Sequence, residues 1–391
     1  MDTEYKPLFN RTYLKVLMVG CVFAVIWLSS LGKPESRPQG QIESRAVYWL
    51  EADESDIADQ LVLIFPTSSA FSDDEQDRQQ WRGQILTERL QQQLGGHYDY
   101  QVQVADDYLR ASIHSNEQTL PKLAALLNEL ARPVDTGLWR PQLKQIQARR
   151  YLQQQSPEQQ LLSRLRNQLG SRGKLPLAWD ELFNQPRLIL VGEDAESRAE
   201  QLAAQLPKQS VGTDYRSLQP TLTGRATLEL SSDQSLLLLA NTLPGRTDSD
   251  FVSQRLIAAT SQLALSSYRP ASDSQYHLQW KSLQGGGYQA VVFFSSLPLN
   301  SSQLDAFRDK IDAKLVEQAR IQLQQRWQQI SNTADSQLAA LSLIARYQLP
   351  LNSLSDYLHQ LGGLENERIA AATRKRFDPQ QQYSLRIDNQ P

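Results

Sequence analysis

Cysteine is almost absent from this chain: Cys21 is the only one, and it lies in an apolar segment near the N-terminus. The rest of the protein therefore has no disulfide and no thiol chemistry, and a packed core must hold it together. Histidine is scarce as well. His97, His114, His277 and His359 are the only four, and no two of them share metal-ligand spacing on one predicted element. An excess of charge is also lacking. The formal net charge is −3 and the basic residues are scattered, which excludes the basic footprint of a nucleic-acid-binding protein. The nucleophilic serine patterns are missing too, because Ser68-Ser69 and Ser266-Ser267 stand in no G-x-S-x-G elbow and have no His–Asp partners. Gly285-Gly286-Gly287 lies between two predicted strands, so it reads as a hairpin turn and not as a phosphate cradle. Asp73-Asp74-Glu75 sits at a predicted helix start, where the macrodipole favours acids, and lacks the ligands of a calcium loop.

What is present begins with an anchor. Val16 to Gly32 reads VLMVGCVFAVIWLSSLG, seventeen residues without a charge. With Tyr13, Leu14 and a snorkelling Lys15, residues 13–32 approach the ~30 Å hydrocarbon core of a bilayer. Lys6, Arg11 and Lys15 precede the segment, so the positive-inside bias keeps residues 1–12 as a cytoplasmic stub and exports the remainder. A cleaved signal peptide is the rival reading, but no A-x-A box follows; Ser30-Leu31-Gly32 is a weak substitute. The expectation is a single-pass protein of a bacterial-type inner membrane whose large domain faces the periplasm.

Residues 33–44 (KPESRPQGQIES) read as a polar tether. Strands follow at 46–50 and 61–65, then a helix over about 74–94 that Gly95-Gly96 ends. A hairpin turns around Asp106-Asp107, helices are expected near 119–131, 138–155 and 157–169, and RLILVG (187–192) leads into a helix at 194–206. A second series starts after residue 223. It has strands near 226–230 and 235–240, a helix at 248–267, strands at 275–281 and 288–294, long helices at about 301–330 and 334–347, two shorter ones, and a last strand at 383–387. The same order of elements occurs twice. The predicted fold class is α+β, with two tandem duplicated lobes, 45–215 and 216–391, each a mostly antiparallel sheet with helices on one face, preceded by one transmembrane helix.

This double unit resembles the insulinase/pitrilysin-type (inverzincin) zinc metallopeptidases, and within them the mitochondrial-processing-peptidase-like branch. Besides the architecture, PRLILVGEDAESRAEQLAAQL (186–206) is similar to the end of that family's first lobe, and YLHQLGGLENERIAAATRKRFDPQQQYSLRI (357–387) to its C-terminal helix, turn and last strand. The family's H-x-x-E-H motif binds zinc through two His on one helical face, with the Glu as general base. The corresponding helix here reads Gly83-Gln84-Ile85-Leu86-Thr87-Glu88-Arg89 and carries no histidine. Gln84, Glu88 and Arg89 mark the degenerate motif. Residues 138–155, where the family's third ligand would lie, hold no carboxylate, and Glu158 is the nearest.

The resemblance therefore implies a pseudo-peptidase with no catalytic residues, no metal site and no cofactor of its own, zinc being expected only in a partner. In two-subunit members, the second lobe of the non-catalytic subunit offers the partner's site an Arg and a Tyr seven residues apart. SSYRPASDSQYHLQW (266–280) has Arg269 and Tyr276 at that separation. Pro270 directly after the Arg, and Ser274 or Gln275 in place of the family's Gly, depart from the pattern. The implied partner is an active zinc metallopeptidase subunit, or a second copy of the chain. The alternative is a non-enzymatic scaffold of the cell envelope that binds a peptide or protein, with β-augmentation at a sheet edge as the mode.

Overall fold

The computed structural model describes residues 37–42, 46–53, 58–115, 121–170, 179, 186–206, 222, 224–230, 232–267, 275–296, 301–330 and 333–388. The stub and the expected membrane span at 13–32 lie outside them. Among the described residues no helix is long and apolar enough to cross a membrane.

The first half contributes β1 (Gln39–Gln41), β2 (Val47–Glu51), β3 (Gln60–Pro66), α1 (Asp73–Leu94), β4 (Tyr98–Ala105), β5 (Tyr108–Ser115), α2 (Leu123–Leu130), α3 (Thr136–Gln153), α4 (Pro157–Leu169), β6 (Arg187–Gly192) and α5 (Ala195–Gln205). The second contributes β7 (Arg225–Thr227), β8 (Ser235–Leu243), α6 (Phe251–Ser267), β9 (Gln275–Leu283), β10 (Gly286–Ser295), α7 (Ser301–Arg308), α8 (Ala313–Ile330), α9 (Ala334–Tyr347), α10 (Ser353–Gly362), α11 (Asn366–Arg376) and β11 (Tyr383–Ile387). The strand orders are β1-β2-β6-β3-β5-β4 and β7-β11-β8-β10-β9. Laid side by side they coincide from β2 and β7 onward. In each sheet one pair is parallel, β2 with β6 and β7 with β11, and the other pairs are antiparallel. The expected duplication is present, and β1 is the one strand without a counterpart among the described residues.

Local chemistry sets the elements. β3 is buried at all seven positions, as a central strand covered on two faces must be. β4 alternates between half-buried and exposed residues along most of its length because it is the outer strand of its sheet. α1 starts in a capping box: the Ser72 hydroxyl accepts from the Glu75 backbone N–H, and the Glu75 carboxylate accepts from the Ser72 N–H at 2.8 Å. It ends at Gly95, whose φ of 48° suits a residue without a side chain.

Three expectations are corrected. Gln39–Gln41, read as tether, pairs antiparallel with β2. The long helix expected over 301–330 is broken after Arg308, and Asp312 caps a new start by accepting from the Leu315 N–H at 2.9 Å. Most important, the helices do not stay on one face of each sheet. α1, α2 and α5 cover one face of the first sheet, but its other face packs Tyr48, Leu50, Val62, Ile64, Ile189 and Val191 against Leu338, Leu341, Ile344 and Ala345 of α9, from the second half. Conversely, α4 from the first half lays Leu161, Leu162, Leu165 and Leu169 on the outer face of the second sheet. Central strands that are apolar on both faces need two covers. The halves supply the second cover to each other.

The hairpin tip between β4 and β5 joins the halves through polar contacts. Asp107 is 2% exposed and accepts from the Arg346 guanidinium, from the Tyr347 hydroxyl at 3.2 Å and from the Gln284 backbone N–H at 3.1 Å. Asp106 accepts from Lys281 Nζ at 2.6 Å. Burial pushes the Asp107 carboxyl above the usual carboxylate range, against the opposing pull of Arg346 and the hydrogen bonds.

Leu165→Ala and Leu341→Ala are each expected to lower stability by about 2–5 kcal/mol. Because each side chain belongs to one half and packs on the other, chemical denaturation should show one transition for the whole protein. Two separated transitions, with only one of them moved, would show that the halves fold independently.

Candidate functional site

The second half of α1 is where the chemistry of the resembled family would sit. Ile85 is fully buried, Gln84 is half-buried and Glu88 is exposed. Arg89 is structurally engaged. Its Nη1 donates to the carbonyls of Leu130 at 2.6 Å and Glu129 at 3.3 Å, and its Nη2 to the carbonyl of Pro133 at 3.2 Å. Trp179 adds its indole N–H to the Leu130 carbonyl at 3.0 Å and lies 4.9 Å, ring centroid to guanidinium, from Arg89. The last carbonyls of α2, which have no partners within their own helix, are thus satisfied by Arg89 and Trp179. Burial lowers the Arg89 guanidinium below its ordinary value, with Glu129 opposing.

The other positions are spoken for in the same way. α3 carries no carboxylate. Glu158, at the start of α4, meets His277 Nδ1 on β9. Among the described residues no group of three or more His, Cys, Asp or Glu side chains could hold a metal ion. Tyr276 lies on β9 opposite Phe293, partly buried against the core under the helices of the second sheet. Arg269 lies outside the described residues, so the expected pair is placed only at its tyrosine.

The first half of α1 holds a charge network that its sequence did not announce. Asp73 accepts from Arg166 Nε at 2.9 Å, from Gln154 Nε2 at 2.8 Å, from Asn167 Nδ2 at 3.3 Å and from the Ser163 hydroxyl. Burial raises its carboxyl, but the Ser163 hydrogen bond, the Arg166 charge and the remaining donors outweigh that and hold it below the usual range. One turn later, Asp77 has its Oδ2 3.0 Å from Arg150 Nη2 but out of hydrogen-bonding alignment. Burial, with Asp74 and Asp73 nearby, pushes Asp77 up to about 6 despite Arg150. Burial also brings Arg82 down to about 10, with Arg78 adding to the shift. The acids at 73–75 read as an ordinary helix start because their partners on α3 and α4 are distant in sequence. Gly83 has a packing reason as well: a Cβ there would stand 2.1 Å from Val104 Cγ2, so only glycine lets α1 lie this close to β4.

Neither a family model nor a curated protein matches the sequence. Similarity appears in structure. The peptidase M16 inactive domain from Pseudomonas fluorescens has a TM-score of 0.67 at 19% identity, covering 91% of this chain and 98% of that one. The fold is that of the M16 peptidases. A protease from Helicobacter pylori has a TM-score of 0.58 at 13% identity, the match covering 91% of this chain and 99% of that one. The ferredoxin protease FusC, solved in complex with Arabidopsis ferredoxin, has a TM-score of 0.54 at 14% identity; the match covers 91% of this chain and 48% of that one. The M16 unit described here therefore spans about half of FusC. The expected resemblance to insulinase-type peptidases holds at the level of fold.

Two outcomes follow from the geometry of α1. Gly83→Ala is expected to cost about 1–3 kcal/mol, read by thermal or chemical denaturation, because α1 must move off β4; unchanged stability would mean that Val104 yields freely. Asp77 titrates near 6 in the folded chain and at its ordinary 3.8 when unfolded. Its contribution is therefore present below the lower value and lost as pH rises through the upper one. Asp77→Asn, which cannot ionise, should gain on the wild type between pH 4 and pH 7 by roughly 1–3 kcal/mol. A stability difference that stays constant over that range would rule out the raised carboxyl.

Proposed function

We propose that this protein is a catalytically silent M16-like subunit, held in the bacterial inner membrane by residues 13–32, with its two lobes in the periplasm beside an active zinc metallopeptidase of the same fold. The observation that carries this reading is the motif helix. Where H-x-x-E-H would place two zinc ligands and a general base, α1 offers Gln84, an exposed Glu88 and an Arg89 that caps α2. A guanidinium so engaged is no metal ligand, and an exposed carboxylate has no metal-bound water to activate. That a chain of this size spans about half of FusC supports a partner that supplies the other half of a chamber. A second copy of this chain is the other candidate for that role. Arg269 and Tyr276 would face the partner's substrate, and Tyr276 lies on β9, the outer strand of its sheet.

A second reading, a non-enzymatic scaffold for a peptide or envelope protein, draws on the outer strands. β4 and β9 each have one side without a neighbouring strand among the described residues, and such edges accept an added strand.

Capture of the tagged full chain from membranes is expected to bring down a protein with H-x-x-E-H and its zinc-dependent peptidase activity. Metal analysis of the chain alone is expected to find no stoichiometric zinc, because tight binding needs a closed set of deprotonated ligands. Arg269→Ala combined with Tyr276→Ala should lower the partner's activity while leaving the pairing intact. Stoichiometric zinc in the isolated chain would overturn the silent assignment, and recovery of peptides or envelope proteins with no metallopeptidase would favour the scaffold.

A further inference from the structure

Three residues on one side of the second sheet, Arg246, Trp280 and Gln289, carry buried polar atoms without a hydrogen-bond partner among the described residues, and Arg255 lies beside them. Trp280 stands on β9 and packs against Phe251 at the start of α6, with ring centroids 6.1 Å apart. Along β9 it shares a face with Tyr276, four residues earlier. Two arginines converge on its indole: Arg255 of α6 at 4.8 Å from the ring centroid, and Arg246, in the loop before α6, at 5.8 Å. Arg246 also lies over Phe251 at 4.5 Å and Tyr347 at 5.6 Å. Among the described residues neither guanidinium has a carboxylate within ion-pair distance. The acid whose charge reaches Arg246 is Asp107, and Asp107 is taken by Arg346. Burial lowers both arginines; the charge of Arg246 lowers Arg255 further, and Arg346 lowers Arg246 while a hydrogen bond with Tyr347 opposes it. Two like charges on one aromatic ring, without a counter-charge, are a standing electrostatic cost.

Gln289 adds a different kind of observation. It sits directly opposite Trp280 in the β9–β10 ladder, so the two side chains stand side by side on one face. It is 2% exposed, and neither its amide nitrogen nor its amide oxygen has a hydrogen-bond partner. The Trp280 indole N–H and Arg246 Nε are buried and unpartnered too. Stacking of arginines on an indole explains the contacts with Trp280. It does not explain a buried amide left without any bond, since a buried polar group without a partner is destabilising. The collection is rich in donors, positively charged and walled by aromatic rings. A planar anion with two oxygens answers all three features, since guanidinium forks bind carboxylates in two-point fashion.

We propose that Arg246, Arg255, Trp280 and Gln289 form a carboxylate-binding site that takes an acidic side chain of a peptide or protein segment, its methylenes lying on Trp280 and Phe251. The site stands on residues independent of Arg269 and of the motif helix, so it survives or fails apart from the pairing proposed above.

Three probes test it on the full chain: a capped tetrapeptide with two central Glu, the same peptide with Gln in their place, and glutarate, all at constant ionic strength. The Glu peptide is expected to raise the melting temperature by several degrees and to bind at least tenfold more tightly than either of the others. Arg255→Gln and Gln289→Leu should each weaken that binding at least tenfold. Gln289→Leu should melt no lower than the parent without peptide, because it removes an unpartnered buried amide, and this separates loss of binding from loss of fold. Equal binding of the Glu and Gln peptides, no binding of either, or parental binding by both variants overturns the site. Tighter binding of glutarate than of the Glu peptide overturns the peptide assignment.

Discussion

Each sheet in this protein is apolar on both faces, and that single fact organises the rest. A sheet with two apolar faces needs two layers of helix, and neither half carries enough helix in the right place to cover its own sheet twice. The solution is reciprocal. α4 leaves the first half to lie on the second sheet, and α9 leaves the second half to lie on the first. The two-lobed unit is therefore one cooperative object with a shared core, although its sequence reads as two copies of one pattern. The charged contacts between the halves, Asp107 with Arg346 and Asp106 with Lys281, set the register of an interface whose hold comes from apolar burial.

The same economy governs the motif helix. α1 carries no histidine, and its residues have structural employment. Arg89 closes the end of α2, Gly83 permits contact with β4, and the acids of the first turns tie α1 to α3 and α4. Replacing Arg89 in such a helix would leave carbonyls at the end of α2 bare.

Much of this was legible in the chain. Period-two and period-3.6 patterns located the strands and most helices, and the repetition of their order announced the duplication. The unbroken apolar run of β3 marked it as a strand buried on both faces. Which helix covers the second face was not legible, because α4 and α9 show the same amphipathic stripe whichever sheet they meet. The break after Arg308 escaped because apolar spacing continues through Ile311, while the signal lay in the capping Asp312. β1 escaped because three residues are too few for a pattern. At the candidate site the missing histidines were plain from sequence. The cluster around Trp280 was not, since it draws on a loop, a helix and two strands whose residues are ordinary one by one.

β1 bears on how the molecule would stand in its surroundings. It has no counterpart in the second sheet among the described residues, and it starts only six residues after the proposed anchor ends at Gly32. Six extended residues reach at most about 20 Å. If residues 13–32 are the anchor that we propose, a globule on so short a connection, which continues directly into the outer strand of the first sheet, would not tumble freely above the bilayer. The β1 edge would face the lipid headgroups, and any partner would have to approach from the sides or from above.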